Sequence, residues 1–571
     1  MMQLTPDSVA GCIARVLKAG GIERVFALCG GHIMPIWMRL DAEGIRIIDV
    51  RDERAAVHMA QAQAELTGGL GVALVTAGPG VTNAMTGIAN AHVARAPVLV
   101  LSGTAPRPQE NRGGLQDVDH TQLLRSITRY ARTVREPALA LAELDEAIAR
   151  AFGDCGEPGP AYLDFPTDTL RSSVPKALQM PEHFEPKPRT ETLPDPVAVE
   201  RAVDVLWSGK RVLVISGRGA RGAGSELVQL LDKLQGVYLD TGESRGLVPD
   251  SHTSVVAAMR GVVMSDADVV LTVGRRLDFQ LAFGSPAIFG QAKFVRIGDV
   301  PGELRDNRRG AVEICASPAA TLRAIVTAAG NRPSSVDRDW AGKLRAGHVE
   351  RAGKLRRTMA ASPEGKDGRL HPNKVLAAIQ DRLDPSAIVI NDGGDFLAFG
   401  RVGLSTQTML DPGPFGCIGV GVPYGIAASL AFPDRHVVVA TGDGAFGFNA
   451  IEIDTAVRHK APVVIVIANN GAWQIEVHDQ TVTHGKVVGT KLQFSDHAAM
   501  ARAFGMYGER VEKPEELGPA LDRAFANRPA LLDVVVTPEA ISSDGKTGLA
   551  WVPDLQPLAA WDEAERKWRG N

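Results

Sequence analysis

His436-Val437-Val438-Val439-Ala440-Thr441-Gly442-Asp443-Gly444 and Val463-Val464-Ile465-Val466-Ile467-Ala468-Asn469-Asn470-Gly471 decide the fold. Each is a continuous apolar run that ends abruptly in small and polar residues. A strand that alternates apolar and polar residues has one wet face. A strand apolar throughout is covered on both faces, as in a parallel sheet between helix layers. Between the two runs, Phe448–Arg458 carries a helix-like pattern, so the stretch reads as one strand–helix–strand crossover. Such crossovers are right-handed, which brings both strand exits to one sheet edge, where open α/β sheets bind ligands. Asp443 and Asn470 occupy those exits. A carboxylate and an amide oxygen suit a hard cation such as Mg²⁺, whose other ligands commonly come from phosphates. The glycines flanking Asp443 let backbone approach a diphosphate closely. Gly-Asp-Gly or Asn-Asn-Gly alone is an ordinary turn; their joint placement at two strand ends carries the reading.

The same pattern recurs along the chain. Strands are predicted at Val25–Leu28, Ile45–Val50, Val72–Thr76, Val98–Ser102, Tyr162–Phe165, Val212–Ser216, Val269–Val273, Phe294–Ile297, Ala387–Asn391 and Leu532–Val536. Helices are predicted at Val9–Ala19, Ala55–Thr67 and Pro514–Ala526. Strand–helix alternation implies an α/β fold of doubly wound parallel sheets. Pro175, Pro181, Pro186, Pro188, Pro194 and Pro196 mark one linker, since such density resists helix and sheet. Ala361–Gly368 marks a second. Three domains follow, at residues 1–178, 190–345 and 365–540, with a tail over 541–571. The basic run from Arg338 to Arg357 reads as a solvated connecting helix. The alternative, a nucleic-acid patch, lacks interleaved aromatic residues.

Composition narrows the function classes. With 66 acidic and 62 basic residues the 571-residue chain carries a formal charge of −4, which offers nothing to nucleic acid or an anionic membrane. Five scattered cysteines without a Cys-x-x-Cys pair indicate neither a disulfide framework nor a zinc site. No apolar stretch approaches a membrane span, and no leader pattern precedes the first helix, so a cytoplasmic protein is expected. The 60 glycines exceed the roughly 7% average, and many stand at strand ends.

Gly442-Asp443-Gly444 with Asn469-Asn470 resembles the signature of thiamine diphosphate-dependent enzymes of the acetolactate synthase superfamily, and the likeness spans nearly the whole chain. It implies a pyrimidine-binding, a central nucleotide-binding and a diphosphate-binding domain. It implies that Asp443, Asn470 and the Ala472 carbonyl hold Mg²⁺, with Gly442, Gly444, Ala445 and Trp473 beside the thiamine diphosphate. Gly394 and Asp395 match the loop on the other side of the diphosphate, and Ile418 matches the large apolar residue wedged under the bent cofactor. Glu53, read alone, is a carboxylate favoured by a helix N-terminus. By the resemblance it is the acid that bonds the pyrimidine ring nitrogen and promotes the imino tautomer, which deprotonates the thiazolium carbon. Family architecture places this acid and the diphosphate on different subunits, implying a homodimer or homotetramer with shared active sites.

The central segment Gly217-Arg218-Gly219-Ala220-Arg221-Gly222 follows a predicted strand and spells a dinucleotide fingerprint, so a Rossmann site is the formal alternative. By the resemblance this domain holds an ADP moiety, free or as part of coenzyme A or FAD, with Gly217, Arg218, Gly219, Arg276 and Asp299 as candidate contacts; Arg221 is a further candidate phosphate partner. Gly274-Arg275-Arg276-Leu277-Asp278-Phe279 resembles a segment of 2-hydroxyacyl-CoA lyase and oxalyl-CoA decarboxylase. His32 matches the active-site histidine of benzaldehyde lyase, the alternative being a structural turn residue. Gln116 matches a glutamine shared by lyases and acetolactate synthases. The tyrosine–glutamate pair of the decarboxylase is missing at Gln116-Asp117-Val118-Asp119.

The expected activity is therefore cleavage of a 2-hydroxyacyl-CoA to formyl-CoA and a ketone or aldehyde, reversible as an acyloin condensation. Alternatives are an acetolactate synthase, a coenzyme A-free carboligase like benzaldehyde lyase, oxalyl-CoA decarboxylase and a non-catalytic thiamine-binding protein. Gln493 stands where such lyases carry a glutamate, and an amide cannot serve as a base. The tail segment Ser543–Pro553, polar then aromatic, is a candidate lid over the active site.

Overall fold

Among the described residues, seventeen strands form three wholly parallel sheets. A computed structural model describes residues 5–154, 156–179, 191–547 and 553–570. The linker prolines Pro181, Pro186 and Pro188, and tail residues 548–552, lie outside the described residues. The first sheet contains β1 (Arg24–Ala27), β2 (Arg46–Asp49), β3 (Gly71–Val75), β4 (Val98–Thr104), β5 (Tyr130–Thr133) and β6 (Ala161–Pro166), in the order β2-β1-β3-β4-β6-β5. The central sheet contains β7 (Val212–Ser216), β8 (Val237–Leu239), β9 (Val269–Val273), β10 (Lys293–Gly298) and β11 (Val312–Cys315), ordered β11-β10-β9-β7-β8. The third contains β12 (Ile388–Asp392), β13 (Thr408–Leu410), β14 (Val437–Gly442), β15 (Val463–Asn469), β16 (Tyr507–Val511) and β17 (Ala530–Val535), ordered β13-β12-β14-β15-β17-β16.

These orders explain the apolar runs. Every residue of β4 and β15 is buried, because both strands sit inside their sheets under helices on either face. The predicted crossover is present, with β14 and β15 paired in register from Val437–Val463 to Gly442–Ala468. The helix after β14 is a correction to the expected Phe448–Arg458. It starts at Asp443, breaks after Phe448 and resumes over Ile453–Arg458. The winding direction reverses inside each sheet at β1/β3, β7/β9 and β12/β14, and again at one edge of the first and third sheets, where β6 and β17 return inside β5 and β16. Open α/β sheets present their ligand crevices at such reversals.

The first and third domains share one core. The helix Glu53–Thr67, which begins at its capping residue Asp52, packs on the helix Gly421–Ala431. Across that contact Asn90 donates to Tyr424 Oη at 3.0 Å and to Gln61 Oε1 at 2.9 Å. The basic run is a 23-residue helix, Arg338–Ala360, as expected of a connecting helix, and it runs on past residue 345. Among the described residues no helix is long and apolar enough to cross a membrane.

His58 sits in the shared core fully buried, and neither ring nitrogen has a hydrogen-bond partner among the described residues. Burial, reinforced by Arg54, pushes its pKa down to about 3. The unfolded chain therefore binds a proton near pH 6.5 that the folded chain refuses, and stability falls as pH drops below that value. The expected loss from this group is about 1.4 kcal/mol per pH unit, down to its folded pKa. Urea midpoints measured across this range check it: His58→Leu should flatten the acid limb, and an unchanged slope would contradict the assignment.

Candidate active site

At the third sheet's reversal the exits of β12 and β14 meet. Asp392-Gly393-Gly394 leads into the helix Asp395–Gly403, and a side chain on Gly393 would contact Gly442 and Ala445. A side chain on Gly394 would meet Ile475. Asn470 follows β15, and its Oδ1 accepts from the Ala472 N–H at 3.2 Å. The loop is then zipped to Thr490–Leu492, with Trp473 N–H donating to Thr490 O at 2.8 Å and Leu492 N–H to Gly471 O at 2.6 Å. A Cβ on Gly444 would lie 2.5 Å from the Trp473 ring, so only glycine fits there. One edge thus gathers Gly394, Asp395, Gly442, Asp443, Gly444, Ala445, Asn470, Ala472 and Trp473.

Asp443 is 5% exposed, and its Oδ2 is buried without a hydrogen-bond partner among the described residues. Burial pushes its pKa up to about 6, against the amides of Asn470, Gly444 and Gly471. An unsatisfied buried carboxylate oxygen is costly, and a bound cation relieves it. Among the described residues no group of three His, Cys, Asp or Glu side chains converges as a metal cluster. A cation here would take its other ligands from amide, carbonyl and phosphate oxygens, which suits Mg²⁺.

Two positioning features escaped the sequence reading. Asp392, fully buried, accepts from the N–H groups of Gly393, Gly419 and Gly421 at 2.7, 3.1 and 2.8 Å. It thereby pins the loop that carries Ile418, and burial pushes its pKa up to about 6. An acid ending an apolar strand was the available signal. Asp395 accepts from the Ser542 N–H at 3.2 Å, and the helix Ser543–Thr547 lies against the helices Asp395–Gly403 and Gln474–His484. The tail therefore starts beside this edge. Its far end differs from a free lid, because the helix Ala559–Arg569 docks on the central domain, with Ser285 donating to Glu565 and Gln556 to Ala282 O.

The first-domain candidates gather at the β1/β3 reversal. Glu53, 6% exposed, is the first residue of its helix, and its Oε2 accepts from Asn83 at 3.1 Å. His32 is buried next to Gln116. Burial lowers its pKa, opposed by hydrogen bonding to Gln116 and Leu115. Neutral imidazole is therefore the form present above its usual range. Gln116 holds a left-handed φ of +60° and abuts Gly78. Such strain in a non-glycine residue recurs at functional loops. Glu53, His32 and Gln116 find their partners within the first domain, whereas Gln493 lies exposed on the third, next to Phe494.

The central reversal is filled. Gly219 and Gly274 touch so closely that a Cβ on Gly274 would lie 2.3 Å from the Gly219 carbonyl carbon. Gly217 and Gly219 donate their N–H groups to Val273 O and Gly274 O, each at 3.0 Å. Arg218 bonds Glu65 and Glu243 at 3.1 and 3.2 Å, and Arg221 bonds Glu65 at 3.1 Å. Burial alone would raise the pKa of Glu65, but the two guanidinium groups hold it below the usual range. Close backbone packing thus accounts for the glycines Gly217 and Gly219, and internal carboxylates pair with Arg218. Of the remaining candidates, Arg276 is exposed and Asp299 follows β10.

A cavity of about 640 Å³ opens instead between the central and third domains, bordered by the tail at Asp544 and Trp561. Arg245 and Arg401 in its wall are paired with Asp240 and Asp411. Arg260 and Arg351 line it bonded to the carbonyls of Gln280 and Ala258, and among the described residues neither they nor Arg356 form an ion pair with a carboxylate; Phe279 lies beside them.

Comparison with known proteins matches three family models. Residues 7–123 match the N-terminal TPP binding domain of thiamine pyrophosphate enzymes, 199–325 the central domain and 398–534 the C-terminal TPP binding domain. The acetolactate synthase large subunit of Mycobacterium tuberculosis is 35% identical over 542 residues, covering 92% of this chain and 95% of that protein. The 2-hydroxyacyl-CoA lyase 2 of Homo sapiens is 30% identical over 547 residues, covering 88% and 85%. The 2-hydroxyacyl-CoA lyase 1 of Mus musculus is 29% identical over 561 residues, covering 93% and 94%.

Proposed function

Because the chain belongs to the thiamine pyrophosphate enzyme family, we propose that it is a thiamine diphosphate- and Mg²⁺-dependent lyase acting on a 2-hydroxyacyl-CoA. The observation that carries the substrate class is the cavity between the central and third domains. Its three arginines without carboxylate partners, and its aromatic walls at Phe279 and Trp561, suit the phosphates and adenine of coenzyme A.

Asp443, Asn470 and the Ala472 carbonyl would hold the cation, and Gly394 and Asp395 would face the diphosphate. Ile418, held by the Asp392 loop, would support the bent cofactor. When bound, thiamine diphosphate supplies a nucleophilic carbon and an electron sink. In the cleavage, the bond between the hydroxyl-bearing carbon and the thioester carbonyl breaks. The hydroxyl oxygen becomes the carbonyl oxygen of the departing ketone or aldehyde, and its proton needs an acceptor. The thioester carbon takes up one proton and leaves as formyl-CoA. His32, neutral and bonded to Gln116, is the proposed acceptor, with the Gln116 amide orienting the substrate oxygen. Glu53 holds the proton at the pyrimidine nitrogen. The family resemblance implies an active site completed by a second copy of the chain, whose Glu53 would face the thiamine diphosphate of its partner.

A second reading, acetolactate synthase, is favoured by the 35% identity to the mycobacterial subunit. One experiment separates them. Purified protein with thiamine diphosphate and Mg²⁺ is offered a 2-hydroxyacyl-CoA or pyruvate, and products are separated by chromatography. Formyl-CoA and a carbonyl product are expected from the first. Acetolactate from pyruvate, with no formyl-CoA, would overturn the lyase reading.

A further inference from the structure

The first domain buries an ionisable pair that the proposed chemistry does not use. His120 and Asp164 are 1% and 0% exposed. His120 Nδ1 lies 3.0 Å from Asp164 Oδ2, and Tyr162 donates to the same oxygen at 2.9 Å. On the other side of the ring, the Gly78 N–H donates to His120 Nε2 at 2.8 Å. A backbone N–H can only donate, so Nε2 must carry the lone pair. The ring proton is then on Nδ1, donated to Asp164.

The bond falls on the turn that joins the candidate catalytic residues. Gly78 follows β3 with a left-handed φ of +61°, and a Cβ there would lie 2.7 Å from Gln116 Cβ. Gly80, two residues on, presents its α-carbon face to Glu53, with a built Cβ 3.3 Å from Oε1. A hydroxyl group would satisfy the Gly78 N–H at lower cost than a buried imidazole with a buried carboxylate. The pair does what a hydroxyl cannot: it holds a rigid ring in one tautomer, from a strand on the far side of the turn.

We propose that Asp164 and His120 are positioning residues that lock the Gly78 turn, and through it set Gln116 and Glu53 for the thiamine reaction. The kinetic part rests on the function proposed above; the tautomer does not. Long-range proton–nitrogen NMR of the full chain, labelled with nitrogen-15 histidine, reads the tautomer without cofactor or substrate. His120, identified by the signal missing from His120→Gln, is expected as Nδ1–H at neutral pH. An Nε2–H or doubly protonated ring would overturn the proposal. Asp164→Asn offers an amide donor to Nδ1, which permits the Nε2–H tautomer and sets donor against donor at Gly78. It should lower kcat about 10²-fold, with KM changed less than about threefold. His120→Gln, whose Oε1 can accept from Gly78, should recover at least about tenfold of the rate lost in His120→Ala. Equal rates in those two variants would overturn the positioning role. Failure of the wild-type chain to turn over either substrate would sink the proposed function, while the NMR result would stand.

Discussion

Replacing Glu53 by glutamine is expected to lower kcat by about 10³-fold on any substrate the protein turns over. Glutamine keeps the shape and the Asn83 contact but cannot hand a proton to and from a ring nitrogen. The helix should survive, because Asp52, not Glu53, caps it by accepting from the Arg54 N–H at 2.8 Å. Binding of thiamine diphosphate should change far less than turnover, since the proposed diphosphate contacts are third-domain residues. Steady-state rates together with a cofactor titration check this. Retained turnover in Glu53→Gln would refute the cofactor chemistry assigned to this residue.

The second large effect is expected at Asp443. A carboxylate with a buried unpartnered oxygen, its pKa pushed up to about 6, burdens the protein without a cation. Asp443→Asn should leave the melting temperature of the cofactor-free protein unchanged or raised. The same change should abolish the additional stabilisation by thiamine diphosphate with Mg²⁺, which for the native chain grows by about 1.4 kcal/mol per tenfold excess over Kd. Thermal melts with and without cofactor separate the two effects. A Mg²⁺-dependent shift preserved in the variant would show that the cation sits elsewhere.

The strands that the sequence left out have a common place. β5, β8, β11, β13 and β16 are all edge strands of their sheets. An edge strand is covered less completely, so Tyr130-Ala131-Arg132-Thr133 and Tyr507-Gly508-Glu509-Arg510-Val511 carry charges and no continuous apolar run. Interior strands were legible because burial on both faces imposes the run. The third-domain edge was legible for a related reason. Gly442-Asp443-Gly444 and Asn469-Asn470 act where they stand, each at the end of its own strand. The role of Asp392 was not legible, since its partners Gly419 and Gly421 arrive only when the later loop folds back.

Local sequence thus determined the parallel sheets, the strand exits and the residues that cluster around Asp443, because the pattern of a covered strand and the chemistry of a turn are both written within a few residues. Tertiary structure alone decided which glycine turn remains open. Gly442–Gly444 keeps an unsatisfied carboxylate oxygen at its reversal. Gly217–Gly219, which spells the better-known fingerprint, is shut against Gly274, and its arginine is neutralised by Glu65 from another domain. That partner lies 153 residues away in the chain, and a counter-charge brought by folding leaves no mark on the sequence around the residue it neutralises.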